Sequence, residues 1–380
     1  MKKIVYVVGG LYSYTGMNSI LSRKINWLAD NGDYKLYMIL TERAGAPWVF
    51  DINPNVEWVN FDINFDELDT MPLLKKVVSY FKKQHRYKKA FTDYLMSIKP
   101  DICISTIRRE INFINKINDG SRKIGEIHFS RDFYRKFNKD YLPSSLNALI
   151  SKIWMGALIK QINKLDCFVV LTSEDSINWP EIRKKIVIPN FVPKYDGTLS
   201  SLNSKNVIAV GRYSWEKGFD LLIDAWAKVY TKHPDWKLNI YGTGNSSSFE
   251  KIIKNKRLEK VVTCNPACKD IYRKYKESSI FVLSSRHEGF GLVLLEAMSV
   301  GLPPVSFDCP YGPKSIISNG KDGLLVTKEN TIELAKQICY LIENPEKREQ
   351  ISEFAVRKAQ SYTPDRIMNK WINLFQNITK

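Results

Sequence analysis

The chain has little of what a disulfide scaffold, a membrane span or a metal cluster requires. Six cysteines (Cys103, Cys167, Cys264, Cys268, Cys309 and Cys339) are spread over 380 residues. That is too thin for a disulfide framework, and with no export signal in view, reduced thiols in the cytoplasm are expected. Cys264 and Cys268 have no His or second Cys pair beside them, so no metal site is expected there. No apolar run approaches the roughly 20 residues that cross a bilayer. The start carries Lys2-Lys3, but its apolar run stops at Ile4–Val8. That length suits a buried first strand better than a signal peptide. Acidic residues are also scarce: 40 Asp and Glu against 57 Lys and Arg, a net charge of +17. No Asp-x-Asp motif follows an apolar strand, and the acidic cluster Asp62 to Asp69 reads as loop.

The positive charge is uneven. Met71 to Lys164 holds 20 Lys and Arg against 7 Asp and Glu, a net of +13. Lys75-Lys76, Lys82-Lys83, Arg86 and Lys88-Lys89 form one cluster; Arg122-Lys123, Arg131, Arg135-Lys136 and Lys139 form another. Such clusters serve as a solvated helix face or as contact with anionic lipid headgroups or an acidic acceptor. Leu142 to Leu165 carries Leu146, Leu149, Ile150, Ile153, Trp154, Ala157, Leu158 and Ile162 near helical spacing, with Lys152, Lys160 and Lys164 between them. An interfacial helix or a core-packed one would both read so. Nucleic acid is not expected as a partner, since no base-stacking or groove-reading motif accompanies the charge.

Short apolar runs alternate with longer helical patterns along the whole chain. The alternation predicts α/β architecture with parallel sheets, arranged as two Rossmann-like doubly wound domains facing across a cleft. Ile4–Val8, Lys35–Leu40, Val56–Phe61, Ile102–Ser105, Ile124–Ile127, Cys167–Leu171 and Val187–Phe191 read as strands of the first. The polar stretch 194–205 reads as a linker, after which the alternation restarts at Val207. The domains are expected at 1–194 and 195–360, with 361–380 as a helix returning to the first.

The richest stretch is Ser285 to Met298, SRHEGFGLVLLEAM. It leaves the strand-like run Ile280–Leu283, passes a Gly-broken turn and enters a Leu-rich helix. Free N–H groups and the dipole at a helix start favour a phosphate. Glu288 in the turn and Glu296 in the helix suit hydroxyls attached to that phosphate. A second turn, Val210 to Asp220, places Arg212 and Lys217 between a strand and a helix, with Asp220 as the expected N-cap. An Arg fork and a mobile Lys charge are suited to a diphosphate, although two surface cations would look the same.

These pieces resemble the C-terminal domain of retaining, GT-B-fold glycosyltransferases of family 4 (glycosyl transferases group 1). VGRYSWEKGFDLLIDAW, LNIYGTG at Leu238–Gly244, SSRHEGFGLVLLEAMSVGLPPVSFD at Ser284–Asp308 and DGLLV at Asp322–Val326 occur in the family's order and spacing. The match runs roughly from Val207 to Val326; the first half resembles the family in layout, with fewer matching residues. The resemblance implies roles. Arg212 and Lys217 would bind the donor's diphosphate. Glu288 would contact hydroxyls of the transferred sugar, and Glu296 the ribose. Phe290, Gly291 and Leu292 would turn backbone N–H groups toward sugar and phosphate, and Gly242 would lie near the nucleotide. Gly16 would bring first-domain backbone close to the phosphates, and His128 would stand near acceptor and transferred sugar. Lys314 and Asn190 lie at further positions of interest. The doubled Pro303-Pro304 and the glycine-free Thr263–Ala267 depart from the pattern, and the latter leaves base recognition unassigned.

The function implied is retaining transfer of a hexose or N-acetylhexosamine from a nucleotide-diphosphate sugar, with UDP first and GDP second. The acceptor would be a glycan or lipid-linked oligosaccharide for surface polysaccharide, met at the inner face of the cell membrane. Neither a metal nor a cofactor is expected, the donor being a co-substrate. A phosphorylase or epimerase of the same fold, and a non-catalytic sugar-nucleotide-binding protein, remain as rival readings.

Overall fold

Parallel strands covered by helices on both faces have no wet side, so their sequences run apolar without alternation. Four strands here are buried at every residue: Ile102–Ser105, Cys167–Val170, Ile280–Leu283 and Pro304–Phe307. The computed structural model describes residues 1–134 and 143–379. The chain divides into two units, one of 1–188 with 368–380 and one of 189–367.

In the first unit the elements are β1 (Lys2–Val7), α1 (Gly16–Asn31), β2 (Tyr34–Leu40), β3 (Glu57–Asn60), α2 (Leu73–Ile98), β4 (Ile102–Ser105), β5 (Arg122–Glu126), α3 (Ser144–Ile162), β6 (Cys167–Val170), α4 (Ser173–Ile177) and β7 (Lys185–Val187). Their sheet runs β3-β2-β1-β4-β5-β6-β7, with every pair parallel. The second unit contains β8 (Asn206–Val210), α5 (Phe219–Lys232), β9 (Lys237–Gly242), α6 (Ser247–Asn255), β10 (Val262–Pro266), α7 (Ile271–Lys276), β11 (Ile280–Leu283), α8 (Leu292–Ser299), β12 (Pro304–Phe307), α9 (Pro313–Ile316), β13 (Leu324–Val326), α10 (Thr331–Glu343) and α11 (Pro345–Ala359). Its parallel sheet runs β10-β9-β8-β11-β12-β13. A last helix, α12 (Pro364–Ile378), has its residues from Met368 onward in the first unit.

Local chemistry sets the ends of these elements. Thr15 caps α1 by accepting from the Asn18 N–H at 3.2 Å, and Asn330 caps α10 through the Glu333 N–H. Lys99 ends α2 in the left-handed region, one residue before Pro100, whose ring forbids a further helical turn. In α2 the buried residues are Tyr87, Phe91 and Leu95, one stripe at i, i+4 and i+8.

Three expectations need correction. The strand expected at Val187–Phe191 is Lys185–Val187, because Pro189 has no N–H to give a ladder. The first unit ends at Ile188, not at 194, since the Val192 N–H bonds the carbonyl of Tyr362 within the second unit. Nor is 194–205 a loose linker. Ser200 bonds the carbonyls of Val300 and Ser278, and Leu202 is buried. The basic residues Arg135, Lys136 and Lys139, and Leu142, lie outside the described residues.

One polar cluster lies inside the first unit. Lys24 of α1 is fully buried and forms an ion pair with Glu126 at the end of β5. The Lys24 Nζ sits 4.5 Å from the centre of the Trp371 ring of α12. His128 Nε2 stands 3.1 Å from Glu126 Oε1, near enough for an ion pair but misaligned for a hydrogen bond. Burial alone would raise the Glu126 carboxyl; Lys24 and His128 outweigh it and hold the group at about 2. A buried pair costs several kcal/mol of desolvation, so losing one partner is worse than losing both. Glu126→Gln should therefore cost about 3–5 kcal/mol at neutral pH, and Lys24→Met with Glu126→Leu together less than the sum of the single changes. A carboxyl with a depressed folded pKa stabilises above its unfolded value near 4.3, and that contribution is lost as pH falls toward 2. Urea denaturation at pH 7 and pH 3 should show the gap between wild type and Glu126→Gln shrinking in acid.

Candidate active site

β8 and β11 are neighbours in the second sheet, paired at Val207 with Ile280 and at Ile208 with Phe281. Both run the same way, so the turns after them, 211–218 and 284–291, emerge side by side. Ligands of open α/β sheets bind at such strand ends. Gly218, φ +60°, makes this proximity possible: a Cβ there would lie 2.1 Å from the Ser284 carbonyl oxygen. A Cβ on Gly242, at the end of β9, would lie 1.9 Å from the carbonyl oxygen of Gly211. Backbone oxygens cannot swing aside as side chains do, so both positions are closed to larger residues.

The two turns are tied by side chains. Lys217 Nζ donates to Glu288 Oε1 at 2.6 Å, and Ser285 Oγ donates to the same oxygen at 2.6 Å. Arg286 holds Asp220 with both prongs, at 2.8 and 2.6 Å, and donates to the Trp215 carbonyl at 2.7 Å. Its guanidinium lies 4.7 Å from the centre of the Trp215 ring. The Arg286 N–H donates to the Glu216 carbonyl, and Ser284 Oγ to that of Lys217. Burial pushes the Asp220 carboxyl up, but the hydrogen bonds and charge of Arg286 hold it below its ordinary value.

Asp220 therefore is not the N-cap of α5. Gly218 takes that place, and the Asp220 carboxylate is committed to Arg286. Arg286 and Ser285 were not legible as site residues: no spacing rule distinguishes an Arg that braces a turn from one on the surface.

The other expected residues fall as follows. Arg212 is exposed and makes no ion pair among the described residues. Gly291, φ +86°, caps α8, whose first turn carries no acidic side chain. Its leading N–H groups thus start a helix with no carboxylate of their own. Leu292 and Glu296 are buried in α8. Phe290 is buried too, its ring 6.1 Å from that of Tyr362, so its side chain braces the turn. Lys314 is exposed at the start of α9, and Asn190 is buried at the start of the second unit. Thr263–Pro266 lies in the edge strand β10, where a Pro is tolerated. Cys264 and Cys268 are free thiols.

Gly16 and His128 belong to the first unit. Gly16 opens α1, and a Cβ there would meet nothing within 4 Å. The protein's own packing does not require that glycine. The His128 side chain is only 3% exposed and turned toward Glu126, so Nε2 addresses a carboxylate and not solvent.

Residues 196–358 match the family model for glycosyl transferases group 1. The second unit is a glycosyl transferases group 1 domain. An uncharacterized glycosyltransferase of Haemophilus influenzae is 33% identical over 217 residues, covering 55% of this chain and 61% of that protein. The amylovoran biosynthesis glycosyltransferase AmsD of Erwinia amylovora is 32% identical over 184 residues, covering 48% of this chain and 51% of its own. The chain thus matches between about half and three fifths of the length of these relatives. A crystal structure of S. aureus TarM with fondaparinux, alpha-GlcNAc-glycerol and UDP superposes with a TM-score of 0.78. That match covers 99% of this chain and 100% of the other at 18% identity. The fold is accordingly that of the GT-B glycosyltransferases, as the motifs implied, and the group 1 domain contains both laced turns.

Substitution separates the two kinds of glycine. Gly218→Ala combines left-handed strain of about 1–2 kcal/mol with a backbone collision and should lower the melting temperature by several degrees. Gly16→Ala should leave it within about a degree. Differential scanning fluorimetry distinguishes the two.

Proposed function

We propose that the chain is a retaining, metal-independent glycosyltransferase. It moves a hexose or N-acetylhexosamine from a nucleotide-diphosphate sugar, UDP-linked before GDP-linked, to a glycan or lipid-linked acceptor of a surface polysaccharide. The carrying observation is the 2.6 Å contact between Lys217 Nζ and Glu288 Oε1. A cation for the diphosphate and a carboxylate for sugar hydroxyls are adjacent, as the phosphate and sugar of one donor are. The relatives supply the wider frame, since one is named for amylovoran biosynthesis and a neighbour in fold was crystallised with UDP.

The chemical step is departure of the diphosphate from the anomeric carbon. Negative charge grows on phosphate oxygens as an oxocarbenium-like centre forms. Arg212, Lys217 and the start of α8 stabilise that charge, the work a metal does in other transferases. Glu288, held by Ser285 and Lys217, orients the sugar and does not attack it. Glu296 takes the ribose hydroxyls. Gly16 admits the donor's phosphates to the backbone at the start of α1, and His128, oriented by Glu126, serves the acceptor side.

The first unit also supports a membrane-surface acceptor. Leu73, Leu74, Val77, Val78 and Phe81 of α2 are exposed, Leu74 by 84%, with Lys75, Lys76 and Lys82 among them. In α3 the apolar stripe divides: Leu146, Leu149, Ile153 and Trp154 are exposed, whereas Leu158 and Ile162 are buried in the core. Apolar side chains interleaved with lysines suit anionic headgroups. Among the described residues no helix is long and apolar enough to cross a membrane.

Lys217→Ala and Glu288→Ala should each reduce turnover of a UDP-sugar at least 100-fold, about 2.7 kcal/mol of barrier. Near-normal release of UDP by either variant would sink the assignment. Gly16→Ala should weaken donor binding in isothermal titration. In flotation assays the chain should follow vesicles containing phosphatidylglycerol and not neutral ones. Leu74→Glu with Phe81→Glu should abolish that preference; equal recovery from both vesicle types would remove the membrane from the proposal.

A further inference from the structure

At the other end of α5 from the donor turns, three side chains of mixed chemistry converge. His233 is the C-cap of α5, Glu343 is the last residue of α10, and Cys339 lies one turn before it on the same helix. Their ligand atoms all lie within 4.8 Å of one another. His233 Nε2 is 2.9 Å from Glu343 Oε1, while Cys339 is buried beneath them. The scaffold is stiff: Leu222, Trp226 and Val229 of α5 share a core with Ile338, Leu341 and Ile342 of α10. Two helix C-termini meet here, and each carries partial negative charge that favours a cation.

We propose that His233, Cys339 and Glu343 form a binding site for a transition-metal dication, Zn²⁺ above all. One imidazole nitrogen, one sulfur and one carboxylate oxygen are donors that Zn²⁺ accepts in tetrahedral geometry. Sulfur argues against Mg²⁺ and Ca²⁺, which take oxygen. A water completes the fourth position on the exposed side, where Glu343 lies. Binding converts the Cys339 thiol to a thiolate and releases its proton to solvent; no redox change is involved. The bound ion clips α5 to α10. With 14 residues in α5, the site stands about 21 Å from Gly218, so it takes no part in the transfer and is independent of the function proposed above. The competing description is a simple His233–Glu343 ion pair over a core thiol.

Isothermal titration of the full chain with ZnCl₂, in reducing, chelator-free buffer, distinguishes them. One Zn²⁺ should bind per chain, and Cys339→Ser and His233→Ala should each weaken it by more than about 100-fold. Cys264→Ser with Cys268→Ser should leave it unchanged. With Co²⁺ as the probe, a thiolate-to-metal absorption band should appear and be lost in Cys339→Ser. Circular dichroism checks that the variants fold. Absence of binding to the wild type overturns the proposal. So does binding that survives Cys339→Ser, or that is lost with Cys264 and Cys268 instead.

Discussion

Everything at the candidate site depends on one constraint: two turns must leave adjacent parallel strands through the same narrow space. Strands lie roughly 4.8 Å apart, and the turns after β8 and β11 stay so close that a Cβ on Gly218 would collide with the Ser284 carbonyl. Gly218 supplies the missing volume, and Arg286 supplies the bond. Its guanidinium closes on the Asp220 carboxylate while its own N–H holds the Glu216 carbonyl. Lys217 and Glu288 then have little freedom, because each is fixed a residue or two from a clamped backbone. The Lys217–Glu288 pair sits on a frame built by Gly218, Ser284 and Arg286.

The first unit solves a different problem with similar means. A lysine midway along α1 and a glutamate at the end of β5 are buried together, with Trp371 over the ammonium. An apolar pair of equal volume would stabilise as well or better. What the charged pair adds is direction, since an ion pair accepts fewer arrangements than a greasy contact. It holds the Lys24 ammonium of α1 against the Trp371 ring of α12 and places a carboxylate beside His128.

Most strands were readable because a strand buried on both faces is a nearly uninterrupted apolar run bounded by turn residues, as at Ile102–Ser105, Ile280–Leu283 and Pro304–Phe307. The strand–turn–helix that carries Glu288, Gly291 and Glu296 was readable because an apolar run, a Gly-broken turn and a Leu-rich run follow one another. Legibility failed where long-range partners decide. Asp220 looks like a cap until Arg286, distant in sequence, takes its carboxylate. The segment 194–205 looks like a linker because polar serines give no hint of the carbonyls they will find. The apolar spacing within α3 announces a helix but not which side is wet, since helical periodicity tests regularity and not burial.

The ion pair between Lys217 and Glu288 has a further consequence. The two groups satisfy each other, so under the proposed function the site carries its own competitor. A lone anion that draws Lys217 away leaves a carboxylate without its cation, and a lone polyol offers Lys217 nothing. Only a molecule presenting phosphate and hydroxyls together replaces both halves of the bargain. Under that proposal the pair acts as a coincidence gate, one that discounts free phosphate and free sugar and loosens its hold once the bond between them is cut.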